Sequence, residues 1–208
     1  MRTGTCLQAS STERCQNANN KTLCKGKMDL VFSVPNHLSE DLCNEIIRRF
    51  EEDPDKFPGQ AGGRFQPHVK ISIDLGIMPH ERWADIVLQL QERLYDAYQK
   101  YDEFLKSKFL GYDLSKSINN TGFQIQKMGS YTWHEDSNFL NGYVRTTTFI
   151  WYLNDVPIEG GTGFYYKTEK PEMGKLVIFP GTWPYVHCGF PTENKYLVTG
   201  WTWEKVGQ

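Results

Sequence analysis

The hydrophobic pattern of the chain changes near its middle, from helical spacing to strand-like alternation. Residues 1–27 are almost entirely polar, and sustained apolar patterning begins only at Met28. A short strand is expected at 30–34. Ser39, followed by two acidic residues, then predicts a helix start, because its hydroxyl oxygen can cap free backbone amides and acids favour the positive end of a helix.

The segment after this first helix predicts a loop, a strand and a long helix. Residues 53–67 contain three prolines and three glycines, which suits a loop, and residues 69–73 alternate like a strand. Between Pro79 and Gly111 the apolar side chains recur at the spacing of an amphipathic helix. They are Trp83, Ile86, Val87, Leu90, Leu94, Tyr98, Tyr101 and Leu105.

The second half of the chain consists of short apolar runs separated by glycine, proline and asparagine. The strand-like runs are Phe123–Met128, Tyr143–Leu153, Gly163–Tyr166, Lys175–Phe179 and Lys195–Glu204. Short strands at regular intervals are typical of a sandwich or a roll. We therefore predict an α+β fold in which the N-terminal helices pack on one sheet.

Length and composition indicate one globular domain. The chain has 208 residues, of which 14% are aromatic, and this is enough to form a substantial core. We expect a polar, mobile tail over residues 1–27 and a single domain over residues 28–208. Met28 is also a candidate for the native first residue, which mass spectrometry of the N-terminus would decide.

Charge and cysteine content argue against several classes of function. The formal net charge is -2, so nothing in the composition favours a nucleic-acid partner. No apolar run is long enough to cross a bilayer and no secretory signal is seen, so we expect a cytoplasmic protein and no membrane partner. The five cysteines are expected to be free thiols. Oligomeric state is not indicated.

His134, Asp136 and His187 are the residues that most strongly suggest chemistry. Two histidines and one carboxylate on one side of a metal form the facial triad that holds Fe(II) with open positions. Residues i and i+2 of an extended segment face the same way, so His134 and Asp136 can reach one ion. His187 must return to them through the fold. A lone histidine is more commonly structural, so only the three residues taken together indicate a metal site.

Several motifs in the strand-rich half resemble the 2-oxoglutarate- and Fe(II)-dependent dioxygenases, in particular their prolyl 4-hydroxylase-like branch. The motifs lie at 131–136, 145–148, 151–154, 160–162, 174–180 and 187–201. The resemblance implies a double-stranded β-helix, or jelly-roll, core. The chain departs from many relatives in reading Gln126-Lys127-Met128 before Gly129, where they carry a tyrosine.

The resemblance also implies roles for individual residues. It makes His134, Asp136 and His187 the iron ligands. It further implies that Lys195 binds the distal carboxylate of 2-oxoglutarate, which agrees with the need of a dicarboxylate for a fixed cation. We expect Thr199 and Tyr152 to contact the co-substrate, and Arg145, Trp133 and Tyr131 to contact the substrate. An ion pair on the next strand is an alternative role for Arg145.

The expected activity is hydroxylation of a C–H bond with release of succinate and CO2. The substrate would be a peptidyl residue, with proline as one candidate, or a free amino acid or similar small metabolite. Fe(II) and 2-oxoglutarate would be the cofactors, with ascorbate as an accessory reductant, and O2 the second substrate. Two alternatives stay open: oxidative demethylation of nucleic-acid bases, and a catalytically silent jelly-roll binding module.

Overall fold

Twelve strands and two α-helices make up the computed structural model, which describes residues 29–78, 80–108, 119–120 and 122–206. The helices are α1, Glu40–Glu52, and α2, Ala84–Lys108. The strands are β1 Phe32–Val34, β2 Phe57–Pro58, β3 Lys70–Gly76, β4 Asn119–Asn120, β5 Gln124–His134, β6 Phe139–Leu140, β7 Tyr143–Tyr152, β8 Thr162–Phe164, β9 Lys167–Glu169, β10 Leu176–Pro180, β11 His187–Gly189 and β12 Lys195–Lys205.

Both helices form where the polar and apolar pattern predicts them. The Ser39 hydroxyl oxygen accepts a hydrogen bond from the backbone amide of Leu42 and so caps α1. A 3-10 turn at Glu81–Trp83 leads into α2, which spans 25 residues. The apolar face of α2 is buried, including Leu90 and Tyr98.

The strands pair antiparallel in the order β1-β10-β7-β12-β5-β11-β8-β9, with β3 also paired to β5. The long strand β5 joins the two sides of the sheet. Its first residues lie between β12 and β3, whereas its last residues pair with β11, where His134 is opposite His187. This sharing of β5 curls the sheet into the predicted jelly roll.

The sheet separates two hydrophobic cores because successive side chains of a strand point to opposite faces. On β7, Phe149 and Trp151 pack with α1 and α2 in the first core. Ile150 and Tyr152 point to the inside of the roll and pack with Phe179 in the second. The helices therefore cover one face of the sheet, as predicted, and leave the other face free to line the interior of the roll.

Some predictions fall outside the described residues or concern segments that the pattern did not resolve. The expected tail, residues 1–27, is outside them, and so are Cys6, Cys15 and Cys24. Cys43 and Cys188 are free and buried, as expected of thiols. The loop predicted over residues 53–67 contains the two-residue strand β2. No helix in the described part of the chain is both long and apolar enough to cross a membrane.

Candidate metal centre

His134, Asp136 and His187 meet at one end of the roll. Their ligand atoms all lie within 4.8 Å of one another. The Asp136 carboxylate oxygens are 3.7 Å from His134 Nε2 and 3.6 Å from His187 Nε2. β5 ends at His134, so Asp136 lies just beyond the strand in the following loop and still faces the same way. Two nitrogens and one carboxylate can hold a metal ion on one side.

The orientation of both imidazoles leaves their Nε2 atoms free to bind a metal. His134 Nδ1 is 2.8 Å from the Thr132 carbonyl oxygen, and His187 Nδ1 is 3.1 Å from that of Tyr185. A carbonyl only accepts, so each Nδ1 carries the proton and each Nε2 keeps its lone pair. Such backbone contacts fix the tautomer and the ring direction of metal-binding histidines.

Protonation states at the centre also suit a metal ion. Burial lowers the pKa of His134 to about 4, so the imidazole is neutral at pH 7. Burial alone would raise the pKa of Asp136, but the neighbouring His187 and His134 and the Thr148 hydroxyl outweigh it and lower that pKa. Thr148 Oγ1 donates to Asp136 Oδ2 at 2.7 Å. Neutral imidazoles and an ionised carboxylate are the forms that bind metals.

Lys195 is completely buried and lines the same cavity as the three candidate ligands. Its Nζ donates to the carbonyl oxygens of Gly160 at 2.6 Å and Gly161 at 3.3 Å. A side chain at either glycine would collide with its surroundings, so only glycine lets this backbone approach the ammonium group. Burial lowers the pKa of Lys195 to about 8.

The buried ammonium group of Lys195 has no carboxylate partner among the residues described. Two neutral carbonyl groups do not balance a desolvated positive charge, and buried lysines are rarely unpaired. The cavity of about 390 Å³ that Lys195 lines has room for a small dicarboxylate beside the three ligands. Thr199 lines it as well, although its hydroxyl donates to the Phe149 carbonyl oxygen at 2.8 Å.

The other predicted site residues differ in their relation to this cavity. Tyr131 and Arg145 line it, and the Tyr131 ring stacks on His134 with 3.6 Å between centroids. Tyr152 does not line it but lies fully buried behind Thr162, to which its hydroxyl donates at 2.6 Å. Trp133 is 53% exposed and does not line it either. The assigned contacts of Tyr152 and Trp133 stay predictions without support from the cavity.

Arg145 is not paired with an acid on the next strand, in contrast to the alternative role considered for it. Its guanidinium group packs over the ring of Trp201, with 4.0 Å from Cζ to the ring centroid. Nη1 donates to the Asp136 carbonyl oxygen, and Nε is buried without a hydrogen-bond partner among the residues described. A buried donor of this kind at the wall of a cavity can receive an oxygen atom of a ligand.

Sequence reasoning missed a polar wall of the cavity that β3 and β5 provide. It contains the buried ion pair between Lys70 and Asp74, with 2.7 Å from Nζ to Oδ2, and the carboxamides of Gln124 and Gln126. The signal in the sequence was the set of polar positions that alternate with isoleucine in β3. Cys188 also lines the cavity.

With this geometry established, comparison with known proteins identifies the site-bearing segment. The family model described as the 2OG-Fe(II) oxygenase superfamily matches residues 122–203. The match spans 82 of the 208 residues of the chain. The matched segment contains all three candidate ligands and Lys195. No curated protein matches the chain.

Solved structures of prolyl hydroxylases share the fold. A prolyl hydroxylase from Trichoplax adhaerens, in complex with a hypoxia inducible factor peptide fragment, superposes with a TM-score of 0.65 at 16% identity, covering 84% of each chain. The 2OG complex of the viral collagen prolyl hydroxylase from Paramecium Bursaria Chlorella virus-1 gives 0.59 at 20% identity, covering 87% of this chain and 98% of that one. A Pseudomonas putida prolyl-4-hydroxylase gives 0.59 at 18%, covering 86% and 95%.

Proposed function

We propose that the protein is an Fe(II)- and 2-oxoglutarate-dependent dioxygenase that hydroxylates a C–H bond of a peptidyl residue, a free amino acid or a similar small metabolite. The observation that carries the proposal is the placement of His134, Asp136 and His187 in one cavity with the buried cation Lys195. A binding module would not need both a facial triad and a buried ammonium group.

The donor set fits ferrous iron rather than a structural metal. Two imidazole nitrogens and one carboxylate would hold Fe(II) on one side and would leave positions open for a co-substrate and O2. A structural zinc site would close its sphere with four protein ligands, often cysteine. Cys188 lines the cavity but lies outside the group of three ligands whose atoms converge. His134, Asp136 and His187 would therefore hold Fe(II).

The role of Lys195 follows from its charge and its surroundings. One carboxylate of 2-oxoglutarate would accept a charge-assisted hydrogen bond from Nζ, and this would supply the counter-charge that the protein lacks there. The carbonyls of Gly160 and Gly161 hold Nζ in place while this happens. Thr199 lies four residues further along the same face of β12 and lines the same cavity, and it is the other β12 side chain that we assign to the co-substrate.

The protein's own contribution is to bind, orient and shield. When bound, Fe(II) and 2-oxoglutarate supply the O2-dependent oxidation, in which the keto acid becomes succinate and CO2 and one oxygen atom enters a C–H bond. Thr148 holds the Asp136 carboxylate by its hydrogen bond, and Tyr131 stacks on the His134 ring. Arg145 and Tyr131, on the cavity wall, are the residues that we assign to substrate contact. Ascorbate stays a prediction.

The proposal is tested by the visible charge-transfer band that Fe(II) and a bound 2-oxo acid give together under anaerobic conditions. We expect the band in the wild-type protein and its loss in His187→Ala. His68→Ala is the matched control, because His68 is exposed and distant in sequence from the ligands. A missing band in the wild type, or a band that survives in His187→Ala, would rule the proposal out.

A screen for succinate formation identifies the substrate class. Peptides, free amino acids and methylated oligonucleotides are compared under identical conditions in the presence of O2. We expect stimulation by a peptide or an amino acid. Stimulation by oligonucleotides alone, with affinity that falls steeply as salt rises, would favour base demethylation instead.

A further inference from the structure

A second polar group lies in the cavity beside the site of the proposed co-substrate. Gln124 and Gln126 occupy alternate positions of β5, so both carboxamides face the interior of the roll. Gln126 is 5% exposed, and its Nε2 donates to Gln124 Oε1 at 2.8 Å. The strand register places Gln124 opposite Thr199, whereas Lys195 lies opposite Met128. The carboxamide pair is therefore displaced along β5 from the anchoring cation.

The mutual hydrogen bond leaves one amide nitrogen and one carbonyl oxygen of the pair without any bond to a described residue. With Gln126 donating, the amide nitrogen of Gln124 and the carbonyl oxygen of Gln126 make no hydrogen bond to another described residue. Exchanging oxygen and nitrogen in both side chains reverses the bond but still leaves one amide nitrogen and one carbonyl oxygen unbonded. An amide group of a ligand presents the complementary pair, a carbonyl oxygen and an N–H.

The adjacent charges cancel, which favours a neutral ligand group over an ionised one. Asp74 lies opposite Gln126 on β3 and is bound by Lys70 at 2.7 Å and by the Ser72 hydroxyl at 2.8 Å. Lys70 and Asp74 are 4% and 1% exposed. Both oxygens of the carboxylate are therefore occupied, and the wall has no net charge with which to attract a free carboxylate or ammonium group.

A loop borders this part of the cavity. Phe57, Gln60 and two glycines of the connection between β2 and β3 line it. A Cβ atom built on Gly59 would lie 1.9 Å from the Ser72 hydroxyl oxygen, so only glycine lets the loop backbone pack directly over the ion pair. A site built to hydrogen-bond a polar group of a ligand rejects an analogue that lacks this group, because its own polar atoms then stay unpaired.

We propose that Gln124 and Gln126 form a subsite that binds an amide group of the substrate, either a peptide bond or a side-chain carboxamide. This inference rests on the proposed dioxygenase function and specifies which chemical group the substrate presents. It assigns to the pair a role in substrate selection, since the side chains contact the substrate away from the C–H bond that reacts.

The experiment measures how probes perturb the anaerobic Fe(II)–2-oxoglutarate band. The first arm compares acetylated and amidated Gly-X-Gly peptides with the free amino acid X. The second arm compares free glutamine and asparagine with glutamate and aspartate. We expect the amide-bearing member of at least one arm to bind roughly tenfold more tightly than its partner. The partner leaves polar atoms of Gln124 and Gln126 without hydrogen bonds, and this makes its binding free energy less favourable. The arm that responds identifies the source of the amide.

Variants separate substrate binding from co-substrate binding. We expect Gln126→Met to weaken the preferred probe about tenfold and to leave the 2-oxoglutarate affinity nearly unchanged. Gln91→Met is the matched control on the exposed face of α2 and should change neither affinity.

Three outcomes would overturn the assignment. In the first, no amide-bearing probe perturbs the band more than its partner. In the second, Gln126→Met weakens 2-oxoglutarate instead of the probe, which would make the pair part of the co-substrate site. In the third, wild-type protein gives no band, and the proposed function fails together with this inference. Only the third affects the proposed function.

Discussion

At the scale of single residues, two buried lysines on the cavity wall differ in whether a partner balances their charge. Lys70 is buried but neutralised by Asp74, whereas Lys195 is buried with only two carbonyl oxygens as partners. Desolvation of a charge is tolerated when an opposite charge or a ligand compensates for it. We therefore propose Lys195, and not Lys70, as the cation that binds an anionic ligand.

Replacement of Lys195 by methionine should affect the co-substrate and not the metal. Methionine keeps the length and apolar volume but removes the charge. We expect the 2-oxoglutarate dissociation constant to rise about ten- to a hundredfold, the usual effect of one charge-assisted hydrogen bond. Anaerobic titration of the charge-transfer band measures it, with Fe(II) binding followed separately. An unaltered 2-oxoglutarate affinity would remove Lys195 from the co-substrate site.

The lowered pKa of Lys195 predicts how 2-oxoglutarate binding depends on pH. Without ligand, the pKa is about 8, so the ammonium form is present below that pH and is lost above it. Because only the charged form attracts the carboxylate, affinity should be constant below about pH 7 and fall as pH rises beyond 8. Lys195→Arg is the control, since its guanidinium group stays charged. An affinity that is flat up to pH 10 in the wild type would contradict the prediction.

At the scale of secondary structure, β3 departs from the usual pattern because its polar face is buried and its apolar face is exposed. Lys70 and Asp74 are buried, whereas Ile71 and Ile73 are 57% and 44% exposed. The polar face points inwards because the roll encloses a polar cavity and not a second apolar core at this position. Alternation predicts that a strand has two unlike faces, but it does not say which face is inside.

The helices, by contrast, bury their apolar faces, and α2 offers a direct test of this packing. Leu90 is fully buried in the core between α2 and the sheet, whereas Leu88 is 62% exposed on the same helix. We expect Leu90→Ala to reduce the free energy of unfolding by about 2–5 kcal/mol and Leu88→Ala by less than about 0.5 kcal/mol. Urea denaturation measures both. Equal effects of the two substitutions would mean that α2 does not pack as described.

At the scale of the whole molecule, the metal centre joins two parts of the curled sheet. His134 is the last residue of β5, and His187 is the first residue of β11, which follows a separate excursion of the chain through β7 and β10. The three ligands approach one another only in the folded state. If the three residues hold a metal as proposed, its binding would favour folding, since the unfolded chain holds no such site.

Thermal unfolding with Mn(II), which occupies oxygen and nitrogen sites without redox turnover, tests this coupling. At a concentration one hundred times its dissociation constant, a ligand adds about 2.7 kcal/mol, which corresponds to roughly 5–10 °C for a chain of this size. We expect this rise in wild-type protein and its absence in Asp136→Ala. A similar rise in that variant would show that Mn(II) binds elsewhere.

The sequence alone determined what local pattern and residue chemistry can determine. Helical spacing and the serine cap predicted α1 and α2, because these depend on neighbours within a few residues. The runs of short strands predicted a roll. The motif from Tyr131 to Asp136, with His187 and Lys195, selected the candidate site, because few ligand sets combine two histidines, a carboxylate and a nearby cation.

Only the tertiary structure decided which side chains share the interior of the roll. It placed Lys70, Asp74, Gln124 and Gln126 around one cavity, left Tyr152 behind its wall and put Trp133 outside it. These relations depend on the pairing of β3 with β5 and on the curl of β5 towards β11. Strand register joins residues that are far apart in the chain, and no local pattern contains that information.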